Sequence, residues 1–161
     1  MVVVLMGVAG SGKTTIGREL AGDLGWSFAD ADDFHPPANV AKMSAGIPLD
    51  DVDRAPWLAA IRRFIDERIA RKENAVVTCS ALREKNRAVL LGDGAHVKLV
   101  YLRGTRELLW SRISGRQGHF MKPAMLDSQL ATLEEPARAL TIDIAQSPAQ
   151  IVAAIRRAVA V

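Results

Sequence analysis

Residues 2–14 read V-V-V-L-M-G-V-A-G-S-G-K-T, an unbroken apolar run that empties directly into a glycine-rich loop ending in lysine and threonine. A short β-branched run of this kind marks a strand buried on both faces of a parallel sheet. Beyond the loop, Ile16, Leu20 and Leu24 recur every four residues, the spacing that lines one face of a helix. Strand, loop and helix in that order match the phosphate-binding P-loop, G-x-x-x-x-G-K-[ST], at residues 7–14. Each part has a chemical use. Gly7, Gly10 and Gly12 let the backbone turn and approach where a Cβ would obstruct. With Val8, Ala9 and Ser11 they present successive N–H groups toward an anion. Lys13 carries a positive charge for the β- and γ-phosphates, and the Thr14 hydroxyl can ligate Mg²⁺. The stretch implies a nucleoside triphosphate site within an α/β fold.

Working outward, the 161 residues are 49% hydrophobic and 24% charged, the balance of a globular chain. They suffice for a single domain, 1–161, with a sheet core covered on both faces. The net charge of +3 does not point to nucleic acid. The basic residues alternate with acidic ones on helical faces, as in D-E-R-I-A-R-K-E at 66–73, and aromatic residues for stacking are scarce. Cys79 is the single cysteine, which excludes an intrachain disulfide and fits a reducing cytoplasm. No apolar run is long enough to span a bilayer, so neither nucleic acid nor membrane is expected as a partner.

Strand-like and helix-like runs alternate along the chain, which predicts a mainly parallel sheet. Gly25 closes the first helix as its C′ residue, and Trp26–Ala29 form a second strand ending at Asp30. A long helix lies between Asp53 and Asn74, with Trp57, Ile61, Phe64, Ile65 and Ile69 on one face. Residues 75–80 read as the third strand, followed by a helical stretch to Leu91, and residues 97–102 as the fourth strand. Thr105 N-caps the next helix. Met125, Leu126, Leu130 and Leu133 face inward from the one after it. The fifth strand is 140–144, and Ser147 with Pro148 opens the last helix. Two polar interruptions, 31–56 and 115–123, fall where a kinase needs a substrate-binding segment and a lid, the lid taking in 112–123.

Asp30 and Asp32 stand at the carboxyl end of the second strand, the sheet edge where ligands bind in open parallel sheets. Their spacing allows one to serve Mg²⁺ and the other a substrate hydroxyl, and it equally allows a polar loop or a helix cap. The P-loop favours the functional choice, because phosphoryl transfer to an alcohol needs a carboxylate near the attacking oxygen. The third strand ends in T-C-S without the usual metal-binding aspartate. Arg112, Arg116, His119 and Lys122 cluster around the second interruption, and Arg116 is the cation best placed there to meet a transferring phosphoryl group. Cys79 reads as an inert strand-end residue, and Met43 and Trp57 as core. His35, ahead of a Pro-Pro pair, is either a substrate contact or a plain loop residue.

The chain resembles the bacterial-type gluconate kinases, small P-loop enzymes related in fold to shikimate and adenylate kinases. The likeness runs through L-M-G-V-A-G-S-G-K-T (5–14), F-A-D-A-D-D-F-H-P (28–36), and N-V-A-K-M-S-A-G-I-P-L-D-D-V-D-R-A-P-W-L (39–58). It continues in C-S-A-L-R (79–83), Y-L-R-G (101–104), G-H-F-M-K (118–122) and L-E-E-P (133–136). The long run at 39–58 and the G-H-F-M-K segment are its most selective parts. Ala31 stands where a glycine is frequent, and Asn86 where an aromatic residue is usual before Arg87.

The resemblance implies a three-layer P-loop kinase fold, with a five-stranded parallel sheet in the order 2-3-1-4-5 and a small lid. It implies phosphorylation of D-gluconate at its 6-hydroxyl by ATP with Mg²⁺, and a cytoplasmic homodimer. Asp30 then supports the metal beside Thr14, and Asp32 orients and deprotonates the hydroxyl. Arg116 and Lys122 neutralise charge, and Arg112 with the I-A-Q-S-P loop (144–148) borders the adenine. For the gluconate carboxylate and hydroxyls the candidates are His35, Lys42, Arg54, Arg83 and Arg87. Shikimate kinase is the nearest rival, although C-S-A-L replaces its usual glycine-rich turn after the third strand. A non-enzymatic nucleotide switch would leave the paired aspartates without a purpose.

Overall fold

Every residue of β1 (Val2–Met6) has 0% of its surface exposed. Successive strand side chains point to opposite faces, so this one strand seeds two cores. Val3 and Leu5 join Ile16, Leu20, Leu102 and Ile151 on one side of the sheet, while Val2, Val4 and Met6 join Ile61, Ile65 and Leu90 on the other. The computed structural model describes residues 1–115 and 123–159. In them β1, β2 (Ser27–Asp30), β3 (Ala75–Thr78), β4 (Val97–Arg103) and β5 (Leu140–Asp143) form one parallel sheet. Its order is β2-β3-β1-β4-β5, as the resemblance implied.

The helices cover both faces. α1 (Lys13–Leu24), α5 (Arg106–Ser114), α6 (Pro123–Thr132) and α7 (Pro148–Ala158) pack on the Val3–Leu5 side, and α3 (Asp51–Ala70) and α4 (Glu84–Leu91) on the other. Their ends follow local chemistry. Gly25 caps α1 at φ 67°, Thr105 Oγ accepts from the Leu108 amide at the start of α5, and Ser147 exchanges hydrogen bonds with Gln150 at the start of α7. No described helix is long and apolar enough to cross a membrane.

Four expectations need correction. α3 starts at Asp51, because Asp50 and Asp53 bond each other's backbone amides in a capping box. β3 ends at Thr78, where its pairing with Leu5 ends, so Cys79 and Ser80 belong to the loop beyond the sheet edge. Within the polar interruption, 37–44 forms a further helix, α2 (Pro37–Ser44), and Met43 on it is 45% exposed and not core. Met125, expected inward, is 51% exposed, and the fully buried Leu126 anchors α6 in its place.

Candidate active site

The phosphate loop joins β1 to α1 at the carboxyl edge of the sheet. Gly10 and Gly12 hold φ of 83° and 88°, the left-handed region. A Cβ on Gly10 would lie 2.9 Å from the Leu109 carbonyl oxygen, and one on Gly7 would lie 3.0 Å from that of Leu102. Lys13 Nζ donates to the carbonyls of Gly7 (2.9 Å) and Val8 (3.2 Å), drawing the loop into a ring. Gly12 caps α1 without any side-chain bond, so no side chain shields the first amides of the helix from an anion. A cavity of about 670 Å³ opens beside them, lined by Ala9, Gly10, Gly12, Lys13, Thr14 and Thr15, with Asp30 and Asp32 opposite. The Val8 side chain is core, and Ser11 Oγ is buried against Gly7, so neither side chain reaches the cavity wall.

The donor set suits a Mg²⁺ bound jointly with phosphate. Thr14 and Asp30 line one cavity, and no three His, Cys, Asp or Glu residues converge among the described residues. Mg²⁺ commonly takes one or two protein oxygens and fills its other positions with water and substrate phosphates. Asp30 is oriented by accepting from the Asp32 amide at 3.0 Å.

A second cavity of about 460 Å³ adjoins the first, and the two share Asp32, Cys79, Ser80 and Gln129. Burial first, and the negative charge of Asp30 second, raise the Asp32 carboxyl above its ordinary value of 3.8, against the opposing pull of His35 and Lys13. The second cavity is walled by His35, Arg54, Trp57 and Arg83. Trp57 Nε1 donates to the Ala31 carbonyl at 2.6 Å, so the expected core tryptophan is also a cavity wall. Buried Asn39 donates from Nδ2 to the Asp53 carbonyl (2.9 Å) and stands 3.2 Å from His35 Nδ1. An amide nitrogen can only donate, so Nδ1 accepts and the imidazole proton sits on Nε2. Burial lowers the His35 pKa below 6.5, more than Asp32 raises it, which keeps the ring neutral at physiological pH.

Two basic candidates are diverted from this cavity. Lys42 bonds both carboxylate oxygens of Asp53 at 2.9 Å. Arg87, 4% exposed, donates from Nη1 to the carbonyls of Ala81 (2.9 Å) and Leu82 (3.0 Å). The loop turns through Ala81 at φ 44°, so the Ala81 carbonyl relies on this donor, whereas the Leu82 carbonyl also accepts from the Glu134 amide at 2.8 Å. Arg112 does meet the loop after β5. It donates to the Ile144 carbonyl at 2.6 Å and lines a cavity of about 250 Å³ with Gln146, Pro148 and the back of Gly10–Gly12. Arg116, His119 and Lys122 lie outside the described residues. Cys79 is inert as expected, burial pushing its thiol up to about 12.

Thr15, Asn39, Ser80 and Gln129 were not anticipated. Ser80 was legible by the sheet-edge argument that found Asp30, since it lies two residues past the end of β3. Asn39 and Gln129 carry no local signal.

With this geometry in hand, the likeness to known proteins is specific. A family model described as Shikimate kinase matches residues 9–159. A gluconokinase of Gluconobacter oxydans (strain 621H) is 48% identical over 134 residues, covering 83% of this chain and 75% of that protein. The thermosensitive gluconokinase of Escherichia coli (strain K12) is 40% identical over 160 residues, covering 97% and 86%. Among solved structures, a gluconokinase from Sinorhizobium meliloti 1021 superposes with a TM-score of 0.80 at 45% identity, over 94% of this chain and 86% of that one.

Proposed function

The chain belongs to the shikimate kinase family and, within it, to the gluconokinases, and from that premise we propose that it transfers the γ-phosphoryl group of ATP to the 6-hydroxyl of D-gluconate. One observation carries the reading beyond family membership. Asp32 lies on the wall of both the phosphate-loop cavity and the cavity rich in cations and neutral donors. A carboxylate at that junction can meet an acceptor hydroxyl and a terminal phosphate together.

In this mechanism Lys13 and the amides opening α1 hold the phosphate oxygens. Arg54 and Arg83 meet the gluconate carboxylate, and His35 Nε2–H donates to its hydroxyls. Asp32 accepts the proton of the 6-hydroxyl as the oxygen–phosphorus bond forms and the bond to the ADP oxygen breaks. The products are 6-phospho-D-gluconate and ADP. Mg²⁺, held by Thr14 and through water by Asp30, would neutralise phosphate charge. Arg116 and Lys122 complete the charge balance on the transferring group, an assignment that rests on sequence, and Arg112 borders the adenine. The reading includes a cytoplasmic homodimer, which light scattering of the purified chain tests for its oligomeric part.

A coupled assay of ADP release with Mg-ATP tests the activity, run with D-gluconate, with shikimate and with no acceptor. Gluconate-dependent release, with 6-phosphogluconate identified by its dehydrogenase, is the expected result. Turnover with shikimate would keep the site and change the substrate. Nucleotide binding with no acceptor-dependent release would leave a switch.

A further inference from the structure

Gln129 belongs to α6, yet its Oε1 accepts from the Ala9 amide of the phosphate loop at 2.8 Å, across 120 residues of sequence. Because the Ala9 N–H is a donor, its partner must be the carboxamide oxygen, which fixes the orientation of the group. Nε2 therefore faces away from that amide, and it has no acceptor among the described residues. Gln129 lines both cavities, as Asp32 does. Its placement is firm. Leu126, one turn earlier, is fully buried, Asp127 pairs with Arg106 of α5 through both carboxylate oxygens, and the Leu133 amide bonds the Gln129 carbonyl at 2.9 Å.

We propose that Gln129 is a further catalytic residue: Oε1 holds the Ala9 amide in the phosphate loop, and Nε2 donates to a phosphoryl oxygen as that group crosses between the two cavities. No proton or covalent bond changes hands at Gln129. The proton of the acceptor hydroxyl still passes to Asp32, and Gln129 supplies a neutral donor where negative charge is redistributed. The proposal rests on the kinase reading above.

The test compares Gln129→Glu and Gln129→Met in the gluconate-dependent assay, with ADP affinity and thermal melting measured on each variant. Glutamate keeps an acceptor for the Ala9 amide and loses the donor, whereas methionine has nearly the same length and loses both. Both variants are expected to melt within a few degrees of wild type and to bind ADP comparably. Both should lose about 100-fold in kcat, with the KM values for ATP and gluconate changed by less than about threefold. Retention of kcat by Gln129→Glu while Gln129→Met loses it would reduce Gln129 to a loop support and overturn the proposal. So would a loss confined to KM, or no loss in either variant. A wild-type chain releasing no ADP with gluconate would overturn the kinase reading and this proposal with it. An active wild type beside an unimpaired Gln129→Glu overturns the proposal alone.

Discussion

The imidazole of His35 lies flat on the indole of Trp57, with ring centroids 4.4 Å apart and planes 12° from parallel. The stack and the bond from Asn39 together hold one ring edge, Nε2–H, for the second cavity. His35→Leu keeps an apolar group against the indole but deletes that donor. Losing one hydrogen bond to a polyol costs about 1.4 kcal/mol, so KM for gluconate should rise about tenfold. KM for ATP should stay unchanged. Steady-state kinetics with each substrate varied separately checks both.

Asp32→Asn should lower kcat by about 100-fold or more, the usual contribution of a positioned base. It should also stabilise the fold. The Asp32 carboxyl titrates above 3.8 in the folded chain, so the folded state binds the proton more tightly than the unfolded one. Stability contributed at this site therefore falls as pH rises through that window. The variant should melt above wild type at neutral pH, with the difference narrowing toward about pH 4. The same shift moves the acid limb of kcat/KM upward from the 3.8 of an ordinary aspartate. Thermal melts and a pH–rate profile test the two halves separately.

Gly10→Ala meets two obstacles at once, the left-handed φ of 83° and the Leu109 carbonyl oxygen 2.9 Å from the new Cβ. A cost of about 1–3 kcal/mol is expected from strain of this kind, together with loss of ATP binding as the loop shifts. Gly22→Ala, in α1, has nothing within 4 Å of its new Cβ and should be neutral or slightly stabilising. Denaturant melts and ATP titration of the pair read the contrast.

Arg87→Met should cost about 1–3 kcal/mol by leaving the Ala81 carbonyl without its donor, while the Leu82 carbonyl keeps the Glu134 amide. Because the same loop carries Ser80 and leads to Arg83 on the cavity wall, KM for gluconate should rise as well. An ADP affinity equal to wild type would localise the damage to the second cavity. Chemical denaturation and ADP binding are the measurements.

Features that close within a few residues were legible without coordinates. Val2–Met6, the glycines and Lys13 specify strand, loop and helix by their own spacing, Gly25 ends α1, and Ser147 with Pro148 starts α7, because each depends on neighbours along the chain. Asp30 and Asp32 could be found for the same reason, standing where a strand runs out. Arg83 and Arg87 show where this stops. They carry the same charge one helical turn apart, yet Arg83 borders the cavity and Arg87 is buried behind the loop. The packing of α4 against the sheet, and the carbonyls that a loop bent at Ala81 turns toward Arg87, divide them. The pairing of Gln129 with Ala9 lies further still from any local pattern. The sequence by itself determined that this chain builds a phosphate loop on a parallel sheet and sets carboxylates at its edge. Only the tertiary structure decided which cations face the second cavity and which side chain spans the two. Those choices depend on how distant elements pack, and burial and hydrogen bonding across such distances leave no periodicity in the chain.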